Sequence, residues 1–327
     1  MGWFSRDNNI DPDNQHRDWQ LVASIAQESL KEQKRSRRWG IFFKLLAFAY
    51  VLVIIVGVSQ QSSVTTQGAS EPHTALVYLD GAISADQPAN ADDVVYSLRS
   101  AFENKLSKAV LLTINSPGGS PVQAGYVYDE IVRLRSKYPD KKIYAVIREL
   151  GASAAYYIAA ATDEIYADKS SLVGSIGVTA SGFGFVGLME KLGVERRTYA
   201  AGEHKGFLDP FLPQRDDESE LWKEVLDSTH QQFIRAVKAG RGDRLVDNDK
   251  LFTGLIWNGE QALDFGLIDG LGSPGYVARE VIQAEEIYDY TLRPTPLEEF
   301  AERFAVSVGK GIGYVVNATF NKPIELR

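Results

Sequence analysis

The sequence predicts an α/β protein built on a largely parallel sheet. "AVLLTIN" (109–115) is a continuous apolar run, as expected of a strand covered on both faces. Strand-like runs alternate along the chain with segments of helical period. Pro/Gly/Ser clusters such as "SPGGSP" (116–121) separate them as turns.

Taken in order, "ALVYLDG" (75–81) predicts a strand with a turn, and "ADDVVYSLRSAFEN" (91–104) a helix with Val94, Val95, Leu98 and Phe102 on its apolar side. After the apolar run and its turn, "VQAGYVYDEIVRLRSKY" (122–138) predicts a helix with Val122, Tyr126, Ile131 and Leu134 facing inward. "KIYAVI" (142–147) is the next strand, and "SAAYYIAAA" (153–161) opens a helix straight after it. "EIYAD" (164–168) and "SIGVTA" (175–180) are short strand candidates. "DESELWKEVLDSTHQQFIRAVKAGR" (217–241) predicts a long amphipathic helix with Leu221, Val225, Phe233 and Val237 in its stripe.

Ahead of this region, residues 1–38 are polar and end in "KEQKRSRR" (31–38), with five positive charges and one negative. "WGIFFKLLAFAYVLVIIVGV" (39–58) follows, apolar except Lys44 and long enough to cross a bilayer's hydrocarbon core. Lys44 lies near the basic end, where it can snorkel to the headgroups. Basic residues before the span and none just after it predict a cytoplasmic N-terminus, with the remainder across the membrane. The polar leader is too long for a typical cleaved signal peptide. "SQQSSVTTQGASEPH" (59–73) is a polar linker.

The 327 residues, 44% of them hydrophobic, suffice for one large domain or two modest ones plus accessory segments. A net charge of −8 provides no general attraction for nucleic acid. The absence of cysteine excludes a thiol nucleophile, disulfides and cysteine-bound zinc. Four histidines without an HExxH pair give no metal motif, and no cofactor is expected. "GFGFVG" (182–187) has glycines in dinucleotide-binding spacing but lacks the strand and acidic residue that such a site needs.

Ligands of open α/β sheets bind outside the carboxyl ends of the strands, and three loops are candidates to meet there. "NSPGGSP" (115–121) has two adjacent glycines whose N–H groups can approach a ligand closely, as a phosphate cradle or an oxyanion hole, or it is a plain Pro-Gly turn. In "GASAA" (151–155), Ser153 sits where a strand runs into a helix, with small neighbours, as in a nucleophile elbow. The N–H of Ala154 would face the same space. A helix N-cap is the competing reading of this serine. "AGEHKGFLDPF" (201–211) offers bases for a serine hydroxyl, His204 and Lys205, with His230 more remote. A lysine must be desolvated to act as a base near neutral pH, and Phe207, Leu208, Pro210 and Phe211 are apolar cover for that purpose.

"NSPGGS" (115–120), "GASAAYYIAAATDEIYAD" (151–168), "LVGSIGV" (172–178), "AGEHKGFLDPF" (201–211), "KAGRG" (238–242) and "WNGEQALDFGLID" (257–269) together resemble the signal peptide peptidase A family, in its short membrane-anchored form. The resemblance covers roughly residues 74–285. It implies a Clp protease/crotonase-like fold with stacked ββα units, preceded by one N-terminal transmembrane helix. It implies Ser153 as nucleophile, Lys205 as general base, Ser175 as the residue that orients the lysine, and Gly118 or Gly119 with Ala154 as oxyanion donors. Family members often carry glycines where this chain has Ala154 and Ala155; a backbone N–H does the work, so alanine need not abolish it. The resemblance also implies hydrophobic peptide substrates such as signal-peptide remnants, and a homo-oligomeric ring or dome in which Lys205 can reach a neighbour's Ser153. The domain reading is then a cytoplasmic tail (1–38), a span (39–58) in a bacterial inner membrane, a linker (59–73), an extracytoplasmic peptidase domain (74–290) and a C-terminal tail (291–327). Helical spacing in that tail runs through Phe300, Phe304, Val308 and Ile312. A Ser-His hydrolase using His204, a catalytically silent membrane scaffold and a crotonase-type acyl-CoA enzyme are the alternatives. The span and the serine–lysine pair argue against the last.

Overall fold

The structure is a computed structural model that describes residues 71–293, together with helical residues 28, 31, 34–35 and 37–52. The latter belong to a separate unit of the chain, and every side chain described in the 37–52 stretch is exposed, including Ile41, Phe42, Phe43, Leu45 and Leu46. Among the described residues no helix is long and apolar enough to cross a membrane. Residues 53–58 of the expected span lie outside them, as does the helical spacing of the C-terminal tail.

In the larger unit the chain runs β1 (His73–Asp80), α1 (Ala91–Glu103), β2 (Ser107–Ser116), α2 (Pro121–Lys137), β3 (Ile143–Ala152), α3 (Ala154–Ala159), β4 (Glu164–Ala167), β5 (Leu172–Gly174), α4 (Val186–Leu192), α5 (Asp216–Arg241), β6 (Ile256–Asn258), α6 (Gly259–Asp264), β7 (Gly270–Leu271) and β8 (Ile287–Asp289). The sheet order is β6-β5-β3-β2-β1-β8, and β4 pairs with both β3 and β7. All pairings are parallel except β5 with β6. The α/β architecture and its largely parallel sheet are therefore as expected.

Local chemistry explains the elements that reach the site. Asn90 caps α1 through the N–H of Asp93, and Asp92 and Asp93 place negative charge at its positive end. Ser120 caps α2 through the N–H of Gln123, with Pro121 in the first turn and Arg135 and Lys137 in the last. The cap binds the Gly118–Gly119 turn directly to a helix. β2 is buried on both faces. Val110, Leu112 and Ile114 pack into the main core with Leu98 and Phe102 of α1 and Val127 and Ile131 of α2, while Leu111 joins Leu76, Val146 and Val277 on the opposite face.

Four local expectations change. Val122 and Tyr126 are exposed; Ile131 and Leu134 face inward as expected, and Ala124 and Val127 complete that face in place of the other two. Leu221 and Val225 of α5 are also exposed, and only its second half is buried, through Phe233, Ala236 and Val237. "SIGVTA" is not a strand: β5 ends at Gly174, because Ser175 takes a φ of 52°, which breaks extended backbone. β3 instead runs past Ile147 to Ala152. Its register against β2 jumps from Ile114↔Ile147 to Ser116↔Gly151, so it gains two residues at a bulge. Beyond the bulge β3 leaves β4 and pairs with β5, Ala152 facing Gly174.

The end of α5 is fastened beneath this region. Arg241 is fully buried and grips Asp269 with two nitrogens, at 2.6 and 3.0 Å, while its Nε donates to the Gly266 carbonyl. Asp269 also accepts from Arg244 and from the backbone N–H of Ile165. Burial opposes ionisation of Asp269, yet the hydrogen bonds and charge of Arg241 hold its carboxyl below the usual range. One helical position earlier, a Cβ on Gly240 would fall 1.8 Å from the Ala160 carbonyl oxygen, so glycine is what lets α5 close on the end of α3. Asp269→Ala leaves a buried guanidinium unpaired and should cost about 3–5 kcal/mol in urea unfolding of the purified chain. Arg241→Met should cost less, because Arg244 still serves Asp269; the reverse order would contradict this assignment.

Candidate active site

Two of the three candidate loops meet. The bulge lifts the end of β3 away from β4 and delivers Ser153 into a sharp turn before α3. Ser153 has φ 55° and ψ −126°, a conformation that L-residues rarely adopt. Its backbone is held on both sides: its N–H donates to the Gly174 carbonyl at 2.8 Å, and its carbonyl accepts from Tyr157 N–H at 3.0 Å. Its side chain makes no capping bond, although the residue occupies the N-cap position. The hydroxyl is thus left for other work, and a capping role does not explain the serine.

Gly118 lies directly against this turn. A Cβ on it would sit 2.7 Å from Ser153 Cβ and 2.8 Å from the Ala154 nitrogen, and its φ of 94° also favours glycine. Gly119 presses on Ile83, where a Cβ would come within 2.2 Å of the carbonyl oxygen. Among the described residues, Ala154 N–H and Gly119 N–H have no acceptor, whereas Gly118 N–H is taken by Ser116 Oγ at 3.1 Å. Ser153 therefore has a free hydroxyl with the unpaired Ala154 N–H on the next residue, and the unpaired Gly119 N–H lies in the glycine turn that packs on both, the kinds of group that acyl transfer through a tetrahedral intermediate needs.

Ser175 follows the β5 residue that binds Ser153. Its N–H donates to the Leu255 carbonyl at 2.7 Å, which fixes its positive-φ turn next to the Ser153 turn. The third loop is different. Lys205 is exposed, and its amine forms no hydrogen bond or ion pair among the described residues. Its intended cover is spent elsewhere: Phe207 stands edge-on to Trp222 and Phe211 stacks on Phe185, while Leu208 is exposed. Within one chain, then, Lys205 is not kept dry and has no hydrogen bond to Ser153. His204 has none either; its Nδ1 lies 3.3 Å from a Glu218 carboxylate oxygen. His230 Nε2 meets the Ile176 carbonyl and belongs to the packing of α5. A cavity of about 1000 Å³ lies between this loop and the start of α5, bordered by Phe207, Arg215, Glu218 and Trp222, and neither Ser153 nor Lys205 lines it. Among the described residues no cluster of His, Asp or Glu could hold a metal ion.

Sequence reasoning missed Ser116 and Ile83, which hold the glycine turn. A serine two residues before a glycine is a turn signal that could have pointed to Ser116. Ile83 carries no local signal, because it acts only through the folded contact.

A free serine hydroxyl at a strained strand-to-helix turn, with unpaired backbone donors near it, is the arrangement that a serine peptidase needs. Residues 135–287 match the family model described as "Peptidase family S49". The chain is 32% identical over 215 residues to "Putative protease MJ0651" of Methanocaldococcus jannaschii, covering 64% of this chain and 68% of that protein. It is 28% identical over 268 residues to "Putative signal peptide peptidase SppA" of Enterococcus faecium, covering 72% and 77%. It is also 47% identical over 175 residues to "Na(+)/H(+) antiporter NhaA" of Brucella melitensis, which covers 54% of this chain and about a quarter of that protein's length, 24%. The chain belongs to peptidase family S49.

The strained turn gives a direct test. Glycine tolerates φ 55°, ψ −126° where serine does not, so Ser153→Gly should unfold at higher denaturant than Ser153→Ala, by about 1 kcal/mol or more. Equal stability of the two variants would show that the turn stores no strain.

Proposed function

We propose that this chain is a membrane-anchored serine endopeptidase that degrades hydrophobic peptides such as cleaved signal-peptide remnants, with Ser153 as nucleophile and Lys205 as general base. The observation that carries the reading is the uncapped Ser153 hydroxyl at a positive-φ strand-to-helix turn beside two unpaired N–H groups. In the first step the neutral Lys205 amine takes the Ser153 proton as Oγ attacks the scissile carbonyl carbon. The negative oxygen that forms is met by the N–H groups of Gly119 and Ala154. The Lys205 ammonium then gives its proton to the leaving amine as the C–N bond breaks, which leaves an acyl-serine. Water, deprotonated by Lys205, attacks that ester, and the Lys205 ammonium returns the proton to the Ser153 oxygen as the C–O bond breaks. Ser175 orients the lysine amine in this scheme.

A lysine at its reference pKa of about 10.4 is a poor base at neutral pH, so the scheme needs Lys205 desolvated. We place that desolvation at a boundary between copies, where the loop of one protomer covers the Ser153 of the next. Two observations support it: α4 has no buried residue, and Phe183 and Tyr199 in the same segment are 82% and 93% exposed, a large apolar surface for one chain to leave in water. The Clp protease/crotonase-like fold is supported by a parallel sheet whose β3 pairs below with β4 and above with β5. The anchor at 39–58, with cytoplasmic N-terminus and extracytoplasmic peptidase domain, is supported by the exposed apolar helix that follows a basic cluster. The substrate class is supported by the name of the Enterococcus relative and by a tether that would hold the site near such peptides.

The test is cleavage of a hydrophobic fluorogenic peptide by the purified chain. Ser153→Ala and Lys205→Ala should each lose activity, the lysine variant by roughly 10²–10⁴-fold, while His204→Ala should stay near wild type. If the base comes from a neighbour, mixing the two inactive variants before assembly should restore part of the rate. Full activity in Lys205→Ala, or its loss in His204→Ala alone, would overturn the lysine assignment.

A further inference from the structure

The oxyanion loop contains a buried hydroxyl that the proposed chemistry leaves unused. Ser116 closes β2, is fully buried, and its Oγ accepts the Gly118 N–H at 3.1 Å. The Gly118 carbonyl in turn accepts the Ile83 N–H at 2.9 Å, and the Ile83 carbonyl accepts the Ser120 N–H at 2.8 Å. In a trans peptide the C=O and N–H point in opposite directions. Because the Gly118 carbonyl points at Ile83, the Gly119 N–H in the same peptide plane points away from it. That N–H is the loop's free donor, and Gly118 itself packs on Ser153 and Ala154.

A Gly-Gly peptide has no Cβ on either side to resist rotation. If this plane turned over, Gly119 N–H would face Ile83, and a carbonyl oxygen would replace a donor beside the nucleophile. That exchange reverses the sign of the local partial charge where a negative oxygen has to form. The Ile83 bond holds the plane itself. The Ser116 bond holds the residue before it, by fixing the Gly118 nitrogen from a wholly buried site.

We propose that Ser116 is a positioning residue for the oxyanion hole: its Oγ holds Gly118 so that the Gly118–Gly119 peptide keeps its N–H turned to the developing oxyanion. The role rests on the reading of Ser153 as nucleophile. It differs from a packing role because its loss acts on the tetrahedral species and spares the bound substrate.

The experiment measures kcat and KM of the purified full chain on a hydrophobic peptide, together with inhibition by the matching peptide aldehyde. The aldehyde adds to a serine hydroxyl and mimics the tetrahedral intermediate. Ser116→Ala should lower kcat by roughly 10–100-fold, a substantial part of the loss typical for one oxyanion donor. KM should change by less than about twofold, and aldehyde affinity should fall by the same factor as kcat/KM. Ser116→Thr, which keeps the hydroxyl, should recover most of the rate. If Ser116→Ala does not fold, Ser116→Cys is read in the same way, since sulfur is the weaker acceptor. Near-wild-type kcat and aldehyde affinity without the hydroxyl would overturn the role of Ser116 and leave Ser153 intact. A fall in kcat with unchanged aldehyde affinity would also overturn it. Full activity in Ser153→Ala would overturn both readings.

Discussion

Everything at this site depends on one turn in the backbone, at which Ser153 is held at φ 55° between a strand and a helix. That conformation costs an L-residue on the order of 1–3 kcal/mol and persists only where its surroundings over-determine it. The surroundings do so here. The Ser153 N–H is bound by β5, its carbonyl by the first turn of α3, and its outer side is closed by Gly118, where even a methyl group would collide. The turn leaves the hydroxyl uncapped and sets the Ala154 N–H beside it. An ordinary helix start would have spent the serine on the cap.

The sheet is arranged to make that turn. β3 serves two neighbours in succession, β4 along its first half and β5 beyond the bulge. The bulge changes its direction between the two pairings. The helices behind it contribute steric and electrostatic anchoring: Ser120 fixes the glycine turn to α2, Gly240 lets α5 approach α3, and the Arg241–Asp269 pair ties α5 to the loop before β7. Parallel strands need crossover helices, and the helices supply both the core and the positions from which the site is built.

Much of this was legible in the residues. The apolar run of β2, the capping residues before α2 and the small residues around Ser153 each carry a local physical signal, and each element falls where that signal places it. The sequence family was legible because several short motifs occur in order. Other features were not local. Helical period alone could not choose between the Val122/Tyr126 side and the Ala124/Val127 side of α2, since both recur at helical spacing and only tertiary packing decides. β3 looked finished at Ile147, because Arg148 and Glu149 interrupt the apolar pattern where the strand bulges. "SIGVTA" has β-branched residues but contains a serine that leaves the extended region. The surroundings of Lys205 are the largest gap. Its loop carries apolar residues in the sequence, yet within one chain they pack on Phe185 and Trp222 or face solvent. Apolar residues near a lysine in the sequence do not say whether they cover its amine, because tertiary packing decides where each of them goes.

The most direct test of the central claim is a crystal structure of the protein reacted with a hydrophobic peptide aldehyde. The account predicts a covalent bond from Ser153 Oγ to the aldehyde carbon, with the former carbonyl oxygen about 3 Å from both the Gly119 and Ala154 nitrogens. An adduct on another residue, or one on Ser153 whose oxygen points to solvent while those two N–H groups stay unengaged, would contradict it.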